Sequence, residues 1–367
     1  MTRFALLGGF LGAGKTTLIG EIARRYVAAG KTVGILTNDQ ADNLVDTQNL
    51  RAQGFAVGEV AGACFCCSFD EMVDVADRLE QETAPDLLLA EPVGSCTDLV
   101  ATIVLPLEQR FGEKFVLAPF GVLLKPSHGK RILGQSDRRS GFSPQAEYIF
   151  RKQLEEADYL IIGRGDQLGA DEVDLLRGRL EEVAPGVPVV VCSPRSGLGV
   201  DEVMGYIESP MQAGKRLLEI DYDTYAMGEA ELGWVNLSAV VQSEMSLDSN
   251  AYAADLVREI GKRILAEEDA VIAHVKVSVS ANGQHAVANL VDNEATVETG
   301  LHAEHEVRGT LEVVINARVA MDPVVLQSHC SDALDHIAMQ SALSVESSNA
   351  RSLRPGRPVP THRVLAS

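Results

Sequence analysis

The sequence predicts an α/β protein in which a doubly wound parallel sheet is followed by a second, smaller α+β domain. Over the first two hundred residues, short β-rich segments alternate with segments of helical periodicity, which is typical of βα units on a parallel sheet. The periodicity lapses in a mixed polar stretch and resumes with strands and helices in a different order. We therefore expect a first domain at 1–210, a linker at 211–229, an α+β domain at 230–345 and a tail at 346–367.

The elements of the first domain follow from the apolar patterns. Short β-rich segments predict strands at 3–8, 31–37, 86–90, 116–124, 158–162 and 188–192. Apolar residues at three- and four-residue spacing predict helices at 15–28, 69–82, 147–156, 170–183 and 200–208. Ligands of such sheets bind at the carboxyl ends of the strands, so we expect the chemistry in the loops that follow them.

The second domain has the order β-α-β-β-β-α. Its predicted strands are 233–243, 271–280, 284–291 and 307–319, and its predicted helices are 250–266 and 323–342. Asn282-Gly283 between two strands is a hairpin turn signal. After residue 346, arginines and prolines predict an extended tail.

Composition and charge exclude several classes of protein. Of the 367 residues, 46% are hydrophobic, as in globular proteins. The formal charge of -20 repels a phosphate backbone, so nucleic acid is not an expected partner. The apolar stretches are far shorter than the roughly 18 residues that a membrane span needs, and the N-terminus lacks a secretory h-region. We expect a cytoplasmic protein with no membrane partner.

A phosphate-binding motif follows the first predicted strand. Residues 9–16, Gly-Phe-Leu-Gly-Ala-Gly-Lys-Thr, match G-x-x-x-x-G-K-[ST] between a strand and a helix, which predicts a sheet of the P-loop NTPase type. Backbone amides of such a loop surround the phosphates, Lys15 neutralises the β- and γ-oxygens, and Thr16 holds magnesium. The expected nucleotide-binding residues of the loop are Gly9, Gly12, Ala13, Gly14, Lys15, Thr16 and Thr17.

Two further carboxylates end predicted strands. Glu91 follows an apolar strand and precedes Gly94, so we expect Glu91 to bind magnesium or its water shell and the Gly94 amide to sense the γ-phosphate. Asp39 ends the second strand and is a further candidate for magnesium. The predicted catalytic set is therefore Lys15, Thr16, Glu91 and Gly94. The alternative is that Asp39 and Glu91 are solvated loop acids.

Three of the six cysteines crowd into one short segment. Cys64, Cys66 and Cys67 form a Cys-x-Cys-Cys element, which in a reducing compartment indicates a metal before a disulfide. Three thiolates make a soft site that a water, a histidine or a partner's ligand can close. A fixed structural zinc site and simple buried cysteines remain alternatives. His128 is a candidate for the fourth ligand, whereas Cys96 is expected to be a small core residue.

These motifs together resemble those of the CobW-type GTPases, which are related to HypB and UreG. The resemblance extends over most of residues 1–200. It is carried by the loop at 8–17, Asn38 with Asp46 in the first switch, residues 62–67, Glu91 to Gly94 and Gln153 to Asp158. It implies that Cys64, Cys66 and Cys67 bind zinc or cobalt. It also implies GTP and Mg²⁺ as cofactors and a slow intrinsic GTPase.

The base-reading motif departs from the family pattern. Where the family has Asn-Lys-x-Asp, this chain has Gly163, Arg164, Gly165 and Asp166. Asp166 can still accept from guanine donors and Arg164 can stack on the base, but the asparagine amide is lost. Ser193 begins a loop that matches the family's last base-contacting loop only in part. We expect GTP to be preferred over ATP.

The first functional hypothesis is a GTP-dependent metallochaperone. Nucleotide and magnesium order the switches, the thiolates capture zinc or cobalt, and hydrolysis releases the metal to a client metalloprotein. The alternative is an NTP-dependent assembly or reactivation factor for a metalloenzyme or a corrinoid protein, with structural cysteines. A third hypothesis is a binding module that does not hydrolyse the nucleotide. A homodimer is compatible with each of these hypotheses.

Overall fold

The computed structural model describes residues 1–39, 45–134 and 142–365, except for the side chain of Asp39. The chain forms two compact units. In the described part, the first unit consists of residues 1–39, 54–134, 142–228 and 357–365, and the second consists of 45–53 and 229–356. Each unit therefore contains segments from distant parts of the sequence.

The first unit is built on a parallel sheet. In the described part of the chain, seven strands lie in the order β3-β2-β4-β1-β6-β7-β8, and β5 pairs with β1. Their bounds are β1 Thr2–Gly8, β2 Val33–Asp39, β3 Ala56–Ala61, β4 Leu87–Glu91, β5 Phe115–Leu117, β6 Gly121–Leu124, β7 Tyr159–Ile162 and β8 Val189–Val191. This parallel sheet and the helices between its strands confirm the predicted fold class.

Two strands differ from the prediction. The predicted strand 116–124 is divided into β5 and β6 around Pro119, which has no N–H to donate to a ladder. Strand β3 is not predicted by the sequence pattern, because Gly58 interrupts its apolar residues. A Cβ at residue 58 would lie 2.3 Å from the Val75 side chain, so a helix packs closely against this strand.

The helices of the first unit connect its strands. They are α1 Lys15–Ala28, α3 Phe69–Thr83, α4 Leu105–Phe111, α5 Pro126–Ile132, α6 Pro144–Glu155, α7 Ala170–Val183, α8 Val200–Glu208 and α9 Tyr222–Ala230, which runs to the unit boundary. A π-helical segment, Val100–Val104, precedes α4. The predicted linker at 211–229 needs correction, because α9 occupies its second half. The apolar residues of α9 are not gathered on one face, so no periodicity marked it.

The second unit is an antiparallel sheet with two long helices. Its described strands lie in the order β12-β11-β10-β13-β9-β14. They are β9 Leu232–Leu247, β10 Val271–Ala281, β11 Gln284–Leu290, β12 Glu298–Leu301, β13 Val307–Ala320 and β14 Ser344–Leu353, and the helices are α10 Ser249–Ile264 and α11 Pro323–Gln340. The α+β character of this domain agrees with the prediction.

The predicted tail from residue 346 also needs correction. Residues 344–353 form β14, which pairs antiparallel with β9 at the edge of the sheet. Most side chains of β14 are exposed and polar, so the strand has no apolar pattern and is held by its backbone hydrogen bonds. Residues 357–365 belong to the first unit.

Helix α2, Val45–Ala52, belongs to the second unit although its sequence lies between two strands of the first. The Val45 amide donates to Asn316 Oδ1 at 2.8 Å, and Asp46 forms an ion pair with Lys276. The Val45 side chain is buried with Val287 and Val314. The segment that the resemblance assigns to the first switch is therefore attached to the second sheet.

Within the described residues, we find no helix that is both long enough and apolar enough to cross a membrane.

Candidate nucleotide and metal sites

The phosphate loop, residues 9–16, connects the end of β1 to the start of α1. Gly9 has a φ of 137°, and a Cβ there would lie 2.2 Å from the Leu123 carbonyl oxygen, so only glycine fits. Gly14, with a φ of 100°, precedes the first turn of α1. The loop therefore leads the chain sharply from the sheet into a helix N-terminus, where backbone amides can face an anion.

Charged and polar side chains converge beside this loop. The Lys15 ammonium donates to the Gly9 carbonyl at 2.9 Å and lies 4.0 Å from Glu91 Oε1. The Thr16 hydroxyl donates to the same Glu91 oxygen at 3.0 Å. Lys15 and Glu91 are both buried. Residues far apart in sequence meet here because β4 pairs with β1 and ends at Glu91.

The loop after β4 packs directly on the phosphate loop. A Cβ at Gly94 would lie 2.9 Å from the Leu11 backbone nitrogen, so the two backbones approach as closely as glycine allows. From α6, the buried Gln153 amide donates to the carbonyls of Gly94, at 3.0 Å, and Cys96, at 2.8 Å. Gln153 therefore ties Gly94 and Cys96 to one side chain.

The two candidate base-reading loops are adjacent. The Gly165 amide donates to the Cys192 carbonyl at 3.0 Å, which joins the loop after β7 to the loop after β8. Asp166 is exposed and Arg164 is half-buried, whereas Ser193 is buried and its amide donates to Leu198. These positions allow Asp166 and Arg164 to meet a ligand.

Asp39 is the last residue of β2 and aligns with Ala61 of β3. Its side chain lies outside the described part of the structure, so its predicted magnesium role stays a prediction. Thr17, the last residue of the predicted phosphate-binding set, is exposed on the first turn of α1.

Asn38 joins the end of β2 to the cysteine segment. Its amide nitrogen donates to the Val60 carbonyl at 2.9 Å and to the Ala63 carbonyl at 2.7 Å. Its amide oxygen accepts from the Phe65 N–H at 2.8 Å. Asn38 is buried, so these bonds replace water and fix the loop that carries the thiols.

The three predicted metal ligands lie in a tight turn after β3. The amides of Cys67 and Ser68 both donate to the Cys64 carbonyl at 2.9 Å. The sulfurs of Cys66 and Cys67 are 3.7 Å apart. Cys64 and Cys66 are buried, and Cys67 is half-buried.

The thiols perturb one another. Hydrogen bonding with Cys64, and then with Cys67 and Cys96, raises the pKa of the Cys66 thiol well above its ordinary value, and burial acts in the same direction. The hydrogen bond from Cys66 lowers the pKa of Cys67 to about 7, and burial opposes that shift. Cys67 is therefore the thiol of this pair that more readily becomes a nucleophilic thiolate.

A fourth thiol, which the sequence pattern did not place here, lies beside these three. Cys96 is 1% exposed and is a hydrogen-bonding neighbour of Cys66. Its sulfur lies within 4.8 Å of the Cys64 sulfur. The available signal was topological, because Cys64 follows β3 and Cys96 follows β4, so both lie at the carboxyl edge of one parallel sheet.

His128, which the sequence suggested as a candidate for the fourth metal ligand, is buried in a cluster of aromatic rings. Its ring packs edge-on against Phe10 and Phe142, with centroids 5.7 and 5.6 Å away, and also against Phe150. Three phenylalanine rings around the imidazole indicate packing under the phosphate loop.

The C-terminal segment covers the cysteine turn. In this segment, residues 357–365, which we term the strap, the Thr361 amide donates to the Cys66 carbonyl at 2.8 Å. The Thr361 hydroxyl donates to the Cys67 carbonyl at 3.1 Å, and the Val359 backbone hydrogen-bonds the Cys67 thiol. Arg363 Nε donates to the buried Asp98 carboxylate at 2.6 Å. The strap thus holds both the cysteine turn and the loop that carries Cys96.

Comparison with known proteins identifies the family. The family model described as CobW/HypB/UreG, nucleotide-binding domain, matches residues 3–191, which is more than half of the chain. The chain belongs to the CobW/HypB/UreG family. This confirms the family indicated by the motifs, and members of the CobW/HypB/UreG family are P-loop GTPases.

Individual relatives of this CobW/HypB/UreG protein match it in sequence over about half of its length, and one solved structure is aligned with it over most of its length. The zinc chaperone CobW of Pseudomonas aeruginosa is 27% identical over 232 residues, which are 54% of this chain and 58% of that protein. The urease accessory protein UreG of Metallosphaera sedula is 26% identical over 227 residues, 58% of this chain and 95% of that one. The Zn(II)-bound YjiA GTPase from E. coli is similar in structure with a TM-score of 0.37 and 14% identity, covering 90% of this chain and 98% of that one.

Proposed function

We propose that this protein is a GTP-dependent metallochaperone that binds zinc through its cysteine cluster and releases it to a client metalloprotein when GTP is hydrolysed. The observation that carries the proposal is the position of Asn38. Its side chain joins the end of β2, which leads into the first switch, to both sides of the cysteine turn. Nucleotide-dependent movement of β2 would therefore reach the cysteine turn through two hydrogen bonds, those to Ala63 and Phe65.

The residues beside the phosphate loop fit a nucleotide with Mg²⁺. The Thr16 hydroxyl and the Glu91 carboxylate already lie within hydrogen-bond distance, and oxygen ligands of this kind suit magnesium. Bound there, Mg²⁺ would neutralise charge on the phosphates. We assign Lys15 to the β- and γ-phosphates, Thr16, Glu91 and Asp39 to magnesium, and the Gly94 amide to the γ-phosphate.

Cys64, Cys66 and Cys67 fit zinc as cargo. Thiolates are soft ligands that zinc accepts, and the chain's relatives include proteins named zinc chaperones. The low pKa of Cys67 makes one thiolate available near neutral pH. A soft site attached to a switch can hold the ion in one nucleotide state and yield it in another.

Zinc affinity tests this assignment. A chromophoric chelator competing for Zn²⁺ measures the affinity of the parent, of a triple Cys64→Ala, Cys66→Ala, Cys67→Ala variant and of a Cys330→Ala control. Cys330 is buried in the core of the second unit, so its removal tests the loss of a thiol far from the cluster. We expect the triple variant to lose tight binding and the control to keep it. Equal affinity of the triple variant and the parent would refute the thiolate assignment.

The burial of Cys64 and Cys66 favours a second candidate function. In an assembly or reactivation factor, the cysteines would hold a structural zinc and nucleotide hydrolysis would remodel a metalloenzyme. The two functions differ in the fate of the metal, which such a factor retains through a complete turnover.

A further inference from the structure

We propose that the Cys96 thiolate completes a four-sulfur zinc site together with Cys64, Cys66 and Cys67. This inference rests on the proposed function, since it concerns the same cargo ion. It goes further by assigning a ligand outside the Cys-x-Cys-Cys motif, on the loop that follows β4. The site thereby joins two loops of the sheet, one after β3 and one after β4.

The separations between the sulfurs support four-fold coordination. A tetrahedral zinc ion with Zn–S bonds of about 2.3 Å places its sulfurs about 3.8 Å apart. The Cys66 and Cys67 sulfurs, 3.7 Å apart, already match that separation, and the Cys64 and Cys96 sulfurs lie within 4.8 Å of each other. Cys66 is also a hydrogen-bonding neighbour of both Cys64 and Cys96, which links the two pairs of sulfurs.

The surroundings favour sulfur over water as the fourth ligand. Cys96 is buried, and the strap hydrogen-bonds the turn through the Val359 and Thr361 backbones. A buried thiol within reach of two other ligands displaces a water without any further cost of ordering, because Gln153 already holds its backbone.

The position of Cys96 also explains how a four-sulfur site can be opened. Structural zinc sites with four protein ligands are closed, whereas a cargo ion must leave. Cys96 is two residues from Gly94, which packs on Leu11 of the phosphate loop, and Gln153 holds both residues. Loss of the γ-phosphate on hydrolysis would free Gly94 to move, and this would move one ligand relative to the other three.

X-ray absorption at the zinc edge tests the assignment directly. On the 367-residue chain loaded with one Zn²⁺, we expect four sulfur neighbours in the parent and in Cys330→Ala, and three in Cys96→Ala. Chelator competition on the same proteins should show Zn²⁺ binding weakened by at least about 10-fold in Cys96→Ala, since even groups outside the coordination shell contribute 10- to 100-fold. Cys96→Ser, which keeps the volume, guards against misfolding of the alanine variant.

The outcomes separate this inference from the proposed function. If the parent shows three sulfurs and Cys96→Ala binds Zn²⁺ like the parent while Cys66→Ala does not, the inference is overturned and the proposed function survives. If Cys66→Ala also binds like the parent, both fail. Support for coupling through Gly94 is a Zn²⁺ affinity whose difference between GDP and a non-hydrolysable GTP analogue is larger in the parent and in Cys330→Ala than in Cys96→Ala, where only the route through Asn38 remains. An equal difference in Cys96→Ala would overturn the coupling through Gly94.

Discussion

At the scale of single residues, Gly163 stands where CobW-type GTPases have an asparagine that contacts guanine. Its φ is outside the left-handed region, so the backbone accepts a side chain. A Cβ there would lie 3.3 Å from the Leu124 carbonyl oxygen and 3.5 Å from that of Ala13, which is tight but needs only a small adjustment. The loop at residue 163 could therefore carry an asparagine side chain, and the amide is missing only because the residue is glycine.

Gly163→Asn should increase the preference for GTP over ATP. One added hydrogen bond contributes about 0.5–1.5 kcal/mol. We therefore expect the dissociation constant for ATP divided by that for GTP, both measured by calorimetry, to rise roughly 2- to 10-fold. Gly163→Ala is the matched control, because it adds the Cβ without the amide. An unchanged ratio in Gly163→Asn relative to Gly163→Ala would show that this residue does not read the base.

Glu156 makes stability depend on pH. Burial raises the pKa of its carboxyl to about 8, and the charge of Asp98 acts in the same direction, against hydrogen bonds from Thr97 and the amides of Val100 and Leu99. Because the folded pKa lies above the unfolded one, the folded state retains the proton. The resulting stability is complete below about pH 4.5 and is lost as pH rises through about 8.

Glu156→Gln should remove this pH dependence. Between pH 5.5 and pH 7.5, the parent should lose roughly 1 kcal/mol of unfolding free energy per pH unit from this group, while the glutamine variant stays flatter. Urea denaturation of both proteins across that range measures the difference. Parallel pH profiles would mean that the Glu156 carboxyl is ionised in the folded protein.

At the scale of elements, the strap is the feature most directly open to test. Arg363→Ala removes the ion pair with the buried Asp98 and should loosen the strap over Cys67. A hydrogen bond to a charged group contributes about 1.5–3 kcal/mol, so we expect a thiol reagent to modify Cys67 roughly 10- to 100-fold faster. Mass spectrometry of the modified peptide identifies the site.

Arg357→Ala is the control within the strap. Arg357 pairs with Asp223, but both side chains are more than half exposed, so the pair contributes little. We expect the Cys67 rate in this variant to match that of the parent, and Arg363→Lys to restore part of the protection. Equal acceleration in the Arg357 and Arg363 variants would show that the Asp98 pair does not hold the strap.

The sequence predicted those elements whose pattern is local. Helix α1 has the predicted bounds of 15–28, and the predicted helices at 170–183 and 200–208 coincide with α7 and α8. In each, apolar residues gather on one face, and the phosphate loop is specified by residues that follow one another. Patterns of this kind can be recognised in the sequence without knowing the fold.

The sequence could not predict what depends on distant contacts. The edge strand β14 has exposed polar side chains, and α2 owes its place to residues of the second sheet. Cys96 joins the cysteine cluster only because β4 lies beside β2, which in turn pairs with β3. From the sequence alone, a single cysteine after an apolar strand is indistinguishable from a core residue.

At the scale of the whole molecule, the candidate nucleotide and metal sites belong to the same compact unit. Lys15, Glu91, Gly94 and the four thiols all lie within it, and Asn38 and the loop after β4 connect the two sites. Coupling between binding sites is reciprocal. If the protein binds zinc more tightly with one nucleotide than with the other, the zinc-loaded protein should bind that nucleotide more tightly by the same factor. The proposed function requires this coupling to be large enough to release the ion.

Zinc release during a single turnover of GTP tests that claim most directly. The protein is loaded with Zn²⁺, mixed with GTP and Mg²⁺, and followed with a chromophoric zinc chelator alongside a phosphate sensor. We predict that zinc appears at the rate of phosphate formation, and that a non-hydrolysable GTP analogue leaves it bound. Zinc that stays on the protein through complete hydrolysis would contradict the proposed release of zinc. A structural zinc in an assembly factor would give that result.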